Sequence, residues 1–212
     1  GSYRVSELEK AYFVVEHFAE TEAIAHTMVS FRFTGDRFLV FSVEVRKELD
    51  ETYSPLRGLF RQYELIYVVA DERDALHLRT HVRAPASRVR IHPIDGDSEA
   101  VERYFLSLVE RVNGLRGRPE FYNTVTSSCT TNLATHLEAV SEHEVAFDKR
   151  VYLPGYSSEL VWELGLLGDI PLEEALGRDR VTDDRREAAS ADLEHYSLLI
   201  RGEDVPESPQ DG

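Results

Sequence analysis

The one cysteine of the chain, Cys129, lies at the start of a segment with helical periodicity. Behind it, apolar residues recur at the spacing of one helix face: Leu133, Ala134, Leu137 and Val140. A thiol in the first turn of a helix meets unpaired backbone N–H groups and the positive end of the helix dipole, which stabilise its thiolate. The pattern therefore predicts a nucleophile; the alternative is a buried cysteine that acts as a small apolar residue.

A thiolate nucleophile works with a neighbouring base, most often a histidine that a third polar group orients. Residues 25–33 and 38–46 alternate between apolar and polar side chains like strands, with a three-residue turn at 34–36. If their apolar faces coincide, His26 and Glu44 lie opposite each other on one polar face of adjacent strands. We predict that His26 is the general base and that Glu44 orients it; the alternative is a solvated surface pair.

Five strands and several helices are predicted to position these residues. The strands are 25–33, 38–46, 64–69, 76–82 and 89–94, and the helices after them are 98–113, the segment beginning at Cys129, 158–166 and 171–176. Residues 5–20 show mixed helical spacing, and 47–62 read as an irregular loop. This order predicts an α+β fold in which helices pack on an antiparallel sheet. We expect one domain over 1–201 and an acidic, disordered tail over 202–212.

Composition excludes several classes of function. The net charge is -15 over 212 residues, which argues against nucleic acid as a partner and gives no polybasic contact for an anionic membrane surface. A single cysteine forbids an internal disulfide, and no segment approaches the ~20 apolar residues of a membrane-spanning helix.

Other polar side chains carry weaker signals. His136 and His143 lie two helical turns apart, but no carboxylate has the spacing of a zinc enzyme, so we predict no metal and no cofactor. Arg79 belongs to a basic run that either recognises an anion or balances the acidic residues 71–74.

Longer motifs add a resemblance to a known family. They are His26–Phe31, Ser42–Glu48, Tyr53–Leu65, Asp71–Asp74, Leu78–Thr80, Phe121–Thr124, Cys129–Asn132, Leu153–Tyr156 and Ser197–Arg201. Together they resemble the bacterial Lnb N-terminal periplasmic domain over about residues 20–201. One departure is Ser128, because this family more often has Asn before the cysteine.

The resemblance implies a circularly permuted papain-like fold, similar to NlpC-like proteins and lecithin–retinol acyltransferase. It implies N-acylation of bacterial lipoproteins in the periplasm, with a phospholipid acyl chain as donor and the lipoprotein N-terminus as acceptor. Cys129 would carry the acyl group as a thioester, and His26 would be its base. Membrane tethering would come from segments outside this chain. We expect the Cys129 N–H and a neighbouring polar group to hold the oxyanion.

Four residues complete the candidate site as binding residues: Tyr122, Ser128, Thr130 and Arg46. Two other functions stay open, a cysteine peptidase or amidase acting on cell-envelope peptide and a non-catalytic interaction domain of the envelope. An apolar groove beside the thiol favours lipid, a polar groove with a charged anchor favours peptide, and the lack of a groove favours the interaction domain.

Overall fold

The computed structural model of the protein describes residues 2–18, 21–52, 54–82, 87–140 and 148–206. Its centre is a five-stranded antiparallel sheet in the order β4-β3-β2-β1-β5. The strands are β1 (Leu8–His17), β2 (His26–Phe33), β3 (Arg37–Arg46), β4 (Glu64–Asp71) and β5 (Arg88–Pro93). Helices on the sheet complete the predicted α+β fold.

The helices vary in length from one turn to five. They are α1 (Pro55–Leu59), α2 (Glu72–His77), α3 (Ser98–Gly117), α4 (Cys129–Val140), α5 (Lys149–Tyr152), α6 (Ser157–Glu163), α7 (Leu172–Arg178), α8 (Asp183–Ala191) and α9 (Tyr196–Leu199). Within the described ranges, none of them combines the length and the apolar character needed to cross a lipid bilayer.

The predicted β2–β3 hairpin forms with the expected register. Phe33 pairs with Arg37 across the three-residue turn, and Met28 pairs with Ser42 further along. Gly35 and Asp36 both adopt positive φ angles, of 73° and 53°, which the tight turn requires. The two strands therefore place their even-numbered residues on one face and their odd-numbered residues on the other.

Both faces of this sheet are covered, so the polar face predicted to carry His26 and Glu44 is largely buried and their pair is not a solvated surface pair. The odd-numbered face packs on α3 and α4, where Phe31 meets Phe105 in an edge-to-face contact at 5.2 Å. The even-numbered face carries Met28 and Val40, which are fully buried in a second core formed with α2, α8 and α9. Helices α8 and α9 are absent from the prediction. They come late in the chain and cover a face that looks half polar in the sequence, which explains the difference.

The helical prediction for residues 5–20 is also wrong, because Leu8–His17 form β1 in the middle of the sheet. The strand pairs with β2 on one side and with β5 on the other. Residues 11–15 are buried without interruption. A strand that is covered on both faces reads as a continuous apolar run and loses the alternation that identifies strands.

The predicted strand over 76–82 is instead α2 followed by a π-helical turn, Leu78–Val82. The Asp71 carboxylate accepts a hydrogen bond from the Arg73 backbone N–H at 3.0 Å, which caps the first turn of α2. This cap begins a helix where the alternating side chains suggested a strand. The π-helical turn carries Arg79 into the interior of the protein.

The C-terminal segment returns to the sheet and is held there by buried charges. Arg201 donates two hydrogen bonds to the Glu72 carboxylate, at 2.6 Å and 2.7 Å. Glu203, in the segment predicted as a tail, accepts a hydrogen bond from Arg32 at 2.8 Å. Residues 207–212 of that predicted tail lie outside the described residues. The segment after α9 thus closes the even-numbered face of the sheet.

Candidate active site

Cys129 is the first residue of α4, as the sequence predicts. The helix start is fixed by a reciprocal pair of hydrogen bonds: the Thr131 backbone N–H donates to Ser128 Oγ at 3.3 Å, and the Ser128 backbone N–H donates to Thr131 Oγ1 at 2.6 Å. This arrangement is a capping box with threonine in place of the usual Glu or Gln. It holds the thiol in the first turn, where backbone N–H groups have no partner within the helix.

His26 takes part in a short hydrogen-bond chain on the even-numbered face. Its Nε2 lies 2.7 Å from Ser42 Oγ, and Ser42 Oγ donates to Glu44 Oε1 at 2.7 Å. The direct distance from His26 Nε2 to Glu44 Oε1 is 3.2 Å. Because Ser42 gives its proton to the carboxylate, its oxygen accepts the Nε2–H of the ring. Nε2 is therefore engaged, which leaves Nδ1 for the thiol.

Two carboxylates and one arginine form a hydrogen-bonded cluster next to this histidine. Glu16 pairs directly with His26 in the β1–β2 register and is fully buried. Arg79 donates from Nε to Glu16 Oε2 at 2.6 Å and from Nη2 to Glu44 Oε1 at 2.8 Å. Ser87 donates a further hydrogen bond to Glu16 at 2.8 Å. Arg79 thus neutralises both carboxylates that flank the His26 strand, which burial would otherwise make costly.

Charges in this cluster favour an ionised cysteine. Burial opposes the thiolate, but the charge of His26 and hydrogen bonds from His26 and Thr27 lower the pKa of Cys129 to about 7. Burial also opposes a charged imidazole, but the thiolate and Glu44 raise the pKa of His26 to about 10. Hydrogen bonds from His26 and Ser42 and the charge of Arg79 outweigh burial and lower the pKa of Glu44 to about 2. About half of the molecules therefore carry a thiolate–imidazolium pair at pH 7, and the pair predominates above that pH.

The pair borders an open cleft of about 220 Å³ at one end of the sheet. Its charged lining consists of Glu16, His26, Glu44, Lys47 and Arg79, and its less polar lining of Phe18, Ala25, Val43, Val45, Tyr122 and Cys129. The cleft is therefore mixed in character, neither the apolar groove nor the polar groove that the sequence left open. A substrate that enters it meets the nucleophile, the base and a wall of apolar side chains together.

The four predicted binding residues fall in different places. Tyr122 lines the cleft, and Ser128 caps α4 as described above. Thr130 faces inward, where its Oγ1 lies 3.0 Å from Thr27 Oγ1 and 3.8 Å from Cys129 Sγ. Arg46 lies outside the lining of the cleft and donates to Glu64 at 2.9 Å on the surface.

Sequence reasoning missed Ser42, Arg79 and Glu16 as members of the site. Ser42 was detectable, because it shares the even parity of His26 and Glu44 in the same hairpin. Glu16 was hidden in the strand misread as a helix, and the structure shows that Arg79 pairs with Glu16 and Glu44.

No metal is indicated at this site by the side chains that the structure describes, since no group of three or more His, Cys, Asp or Glu residues there could hold an ion. His136 is instead buried beside Ser107, whose Oγ lies 2.7 Å from its Nδ1. His143 lies outside the described residues.

Comparison with known proteins agrees with the family suggested by the sequence motifs. No curated protein and no solved structure matches the chain. The family model of the Lnb N-terminal periplasmic domain, in contrast, matches residues 1–155, which include β1–β5, Cys129 and His26. Because this match spans more than half of the 212 residues, the chain belongs to the family of the Lnb N-terminal periplasmic domain.

Proposed function

We propose that the protein is a cysteine-dependent acyltransferase that works through a thioester on Cys129. The observation that carries the proposal is the pairing of a low-pKa thiol at a helix start with His26 at an open cleft. In the first step the thiolate attacks the ester carbonyl of a phospholipid, the carbon–oxygen bond to glycerol breaks, and His26 gives its proton to the leaving alkoxide. Lysophospholipid leaves, and the acyl group stays on sulfur.

The second step transfers the acyl group to an amine. An uncharged amine attacks the thioester carbonyl, the carbon–sulfur bond breaks, and neutral His26 takes the proton that the amine loses. The thiolate–imidazolium pair is then restored. Family membership favours the N-terminal amine of a lipoprotein as acceptor and the periplasm as location, with membrane tethering by segments outside this chain.

A circularly permuted papain-like arrangement is part of this proposal. Its support is the chain order, with the base on strand β2 preceding the nucleophile at the start of α4. The backbone N–H of Cys129 is the proposed oxyanion donor, because the N–H groups in the first turn of a helix make no intrahelical bond.

Apolar side chains in the cleft support an acyl chain as the group transferred. Phe18 keeps 46% of its surface exposed at the cleft, and Val43, Val45 and Tyr122 continue the apolar wall. Each methylene that such a wall removes from water contributes about 0.8 kcal/mol. A few methylenes therefore suffice to hold a chain beside the thiol.

The experiment is to incubate the protein with phospholipid vesicles and to measure its intact mass. We expect an added acyl group that hydroxylamine removes, in the wild-type protein and not in Cys129→Ala. Arg103→Gln serves as the control, because Arg103 is a half-exposed residue of α3 outside the lining of the cleft, and it should form the adduct like the wild type. If no adduct forms, even with membranes and the full-length protein, the acyltransferase proposal is wrong.

A second candidate function is a cysteine peptidase or amidase, which the charged part of the cleft favours. Lys47 offers a basic anchor for the C-terminus or an acidic side chain of a peptide. To separate the two functions, the wild type and Cys129→Ala are each incubated with cell-envelope stem peptides, and cleavage of the peptides is measured. Thiol-dependent cleavage without an acyl adduct from phospholipid would favour the hydrolase.

A further inference from the structure

A second cavity lies beside the cleft of Cys129 and has about 600 Å³ of space. The two share a wall, because Tyr122 lines the thiol cleft while its neighbours Phe121 and Asn123 line the second cavity. They also share α4: Thr131 lines the second cavity two residues after Cys129, about 3 Å further along the helix axis. The two spaces are therefore neighbours along α4 and the segment 121–123.

The lining of this second cavity is polar and carries a small net positive charge. Arg61 and Arg111 contribute two positive charges and Glu120 one negative charge. Arg111 is already neutralised, because it donates to both Glu120 oxygens, at 2.6 Å and 2.7 Å. Burial and Arg111 lower the pKa of His136 to about 4, so this ring is neutral at pH 7. One positive charge, that of Arg61, is left without compensation.

The guanidinium of Arg61 is free to bind a ligand. Across the described part of the chain, its side chain has no hydrogen bond and no ion pair, although the protein carries a net charge of -15. Hydroxyl and amide side chains surround the same space, among them Asn123, Thr126 and Ser127. A ligand with one negative charge and several polar oxygens matches this lining.

The backbone of Arg61 gives an independent observation. Arg61 follows α1 and has a φ of 54°, a left-handed conformation that glycine adopts at lower cost. Its N–H donates to Gly58 O at 3.0 Å, and the Gln62 N–H donates to Arg57 O at 3.1 Å. These two bonds form a Schellman motif, in which glycine is the usual residue at the position of Arg61. An arginine that occupies a glycine position at the edge of a cavity points to a role for its side chain.

We propose that the second cavity binds the phosphodiester of a phospholipid headgroup, with Arg61 as its cationic partner. The inference rests on the proposed phospholipid donor. A phosphodiester carries one negative charge at neutral pH, which the uncompensated charge of Arg61 balances. The exposed ring of Phe121 lies at this cavity, next to the apolar wall of the thiol cleft. The headgroup then occupies the polar cavity while an ester carbonyl reaches Cys129.

The test measures binding of glycerophosphoethanolamine, a soluble phosphodiester, to the full chain by calorimetry or NMR titration. We expect Arg61→Gly to weaken binding about tenfold or more, because a charge-assisted hydrogen bond is lost. The same variant should keep or raise the melting temperature, because glycine suits the left-handed backbone. Arg61→Lys, which keeps the charge, should lose less affinity than Arg61→Gly.

Arg57→Gln is the matched control, because Arg57 is an exposed arginine on α1 that pairs with Glu51 and lies outside this cavity's lining. It should bind the phosphodiester like the wild type. Equal binding by Arg61→Gly and wild type, or equal binding of glycerol, would overturn the proposal. Inorganic phosphate bound more tightly than the diester would overturn it in favour of a free-phosphate site.

The same titration separates this proposal from the acyltransferase proposal. Cys129→Ala should bind the phosphodiester normally, because the thiol lies in the other cleft. If the protein binds the diester but forms no acyl adduct, the phosphodiester site is supported and the acyltransferase reaction is rejected. An acyl adduct together with unchanged binding in Arg61→Gly would reject this site alone.

Discussion

Two histidines of this protein lie at the centre of hydrogen-bond chains, but their surroundings differ. His26 connects through Ser42 to Glu44 and borders the cleft with Cys129. His92 has the order of a serine-hydrolase triad: its Nδ1 lies 2.8 Å from Asp179 Oδ2, and its Nε2 lies 2.9 Å from Ser158 Oγ. Judged by distances alone, the two chains are equally well formed.

Access separates these two chains. The exposure of His92 is 0% and that of Ser158 is 2%, so no substrate reaches the hydroxyl while the protein is folded. Asp179 also accepts from Arg178, and the chain joins β5 to α6 and α7. We therefore interpret this chain as a buried link between layers of the fold. Triad geometry indicates catalysis only where the nucleophile borders a space that a substrate can enter.

The largest effect that tests this comparison is expected from His26→Gln. Loss of the base and of the positive charge beside the thiol should slow acyl-adduct formation about 10²- to 10⁴-fold. The measurement is the rate of adduct formation by intact mass. Ser158→Ala is the control from the buried chain and should form the adduct at the wild-type rate. Equal loss in both variants would show that the buried chain takes part in catalysis.

His92→Gln should lower the stability of the fold and leave the reactivity of Cys129 unchanged. Removing this buried ring breaks its hydrogen bonds to Ser158 and Asp179 and should cost about 2–4 kcal/mol of unfolding free energy. Urea titration measures this loss. Under conditions in which His92→Gln remains folded, iodoacetamide should alkylate its Cys129 with the wild-type pH dependence. A changed thiol pKa would contradict the separation of the two chains.

Titration of the Cys129 thiol tests whether His26 lowers its pKa. With a pKa of about 7, the rate of iodoacetamide alkylation should rise through pH 7 and level off above it. About half of the thiol is then ionised at pH 7, compared with about 3% for an ordinary cysteine of pKa ~8.5. In His26→Gln the midpoint should move to higher pH. A wild-type midpoint above pH 8.5 would show that Cys129 and His26 do not form a thiolate–imidazolium pair.

The smallest effect concerns the cap that holds the thiol in place. Thr131→Ala removes the hydroxyl that accepts from the Ser128 N–H and should cost about 1 kcal/mol of unfolding free energy. The control is Thr135→Ala, because the Thr135 hydroxyl only donates to a carbonyl one turn back. Urea titration of both variants should show the difference. Equal stabilities would mean that the cap does not hold the start of α4.

The hairpin of the site was predictable because its signal is local. Alternation and turn length fix the parity of β2 and β3, and parity alone places His26 beside Glu44. Cys129 at the start of α4 follows from its own helical spacing. Each of these inferences uses residues that are close in sequence, where the physical pattern is strongest.

The rest of the site depends on contacts between distant segments. Glu16 comes from a strand covered on both faces, which has no alternation to reveal it. Arg79 comes from a π-helical turn that reads as a strand, and it joins two carboxylates from different strands. A buried ion pair between segments 63 residues apart has no local pattern, so only the assembled fold shows it.

The bond between Arg201 and Glu72 has a consequence for the limits of the folding unit. The family match ends at residue 155, whereas the even-numbered face of the sheet is covered by later residues, among them Val181, Tyr196 and Ile200. A chain cut at residue 155 would present Met28 and Val40 to water and leave Glu72 buried without its cation. The residues that match the family model therefore do not include all the residues that cover this face of the sheet.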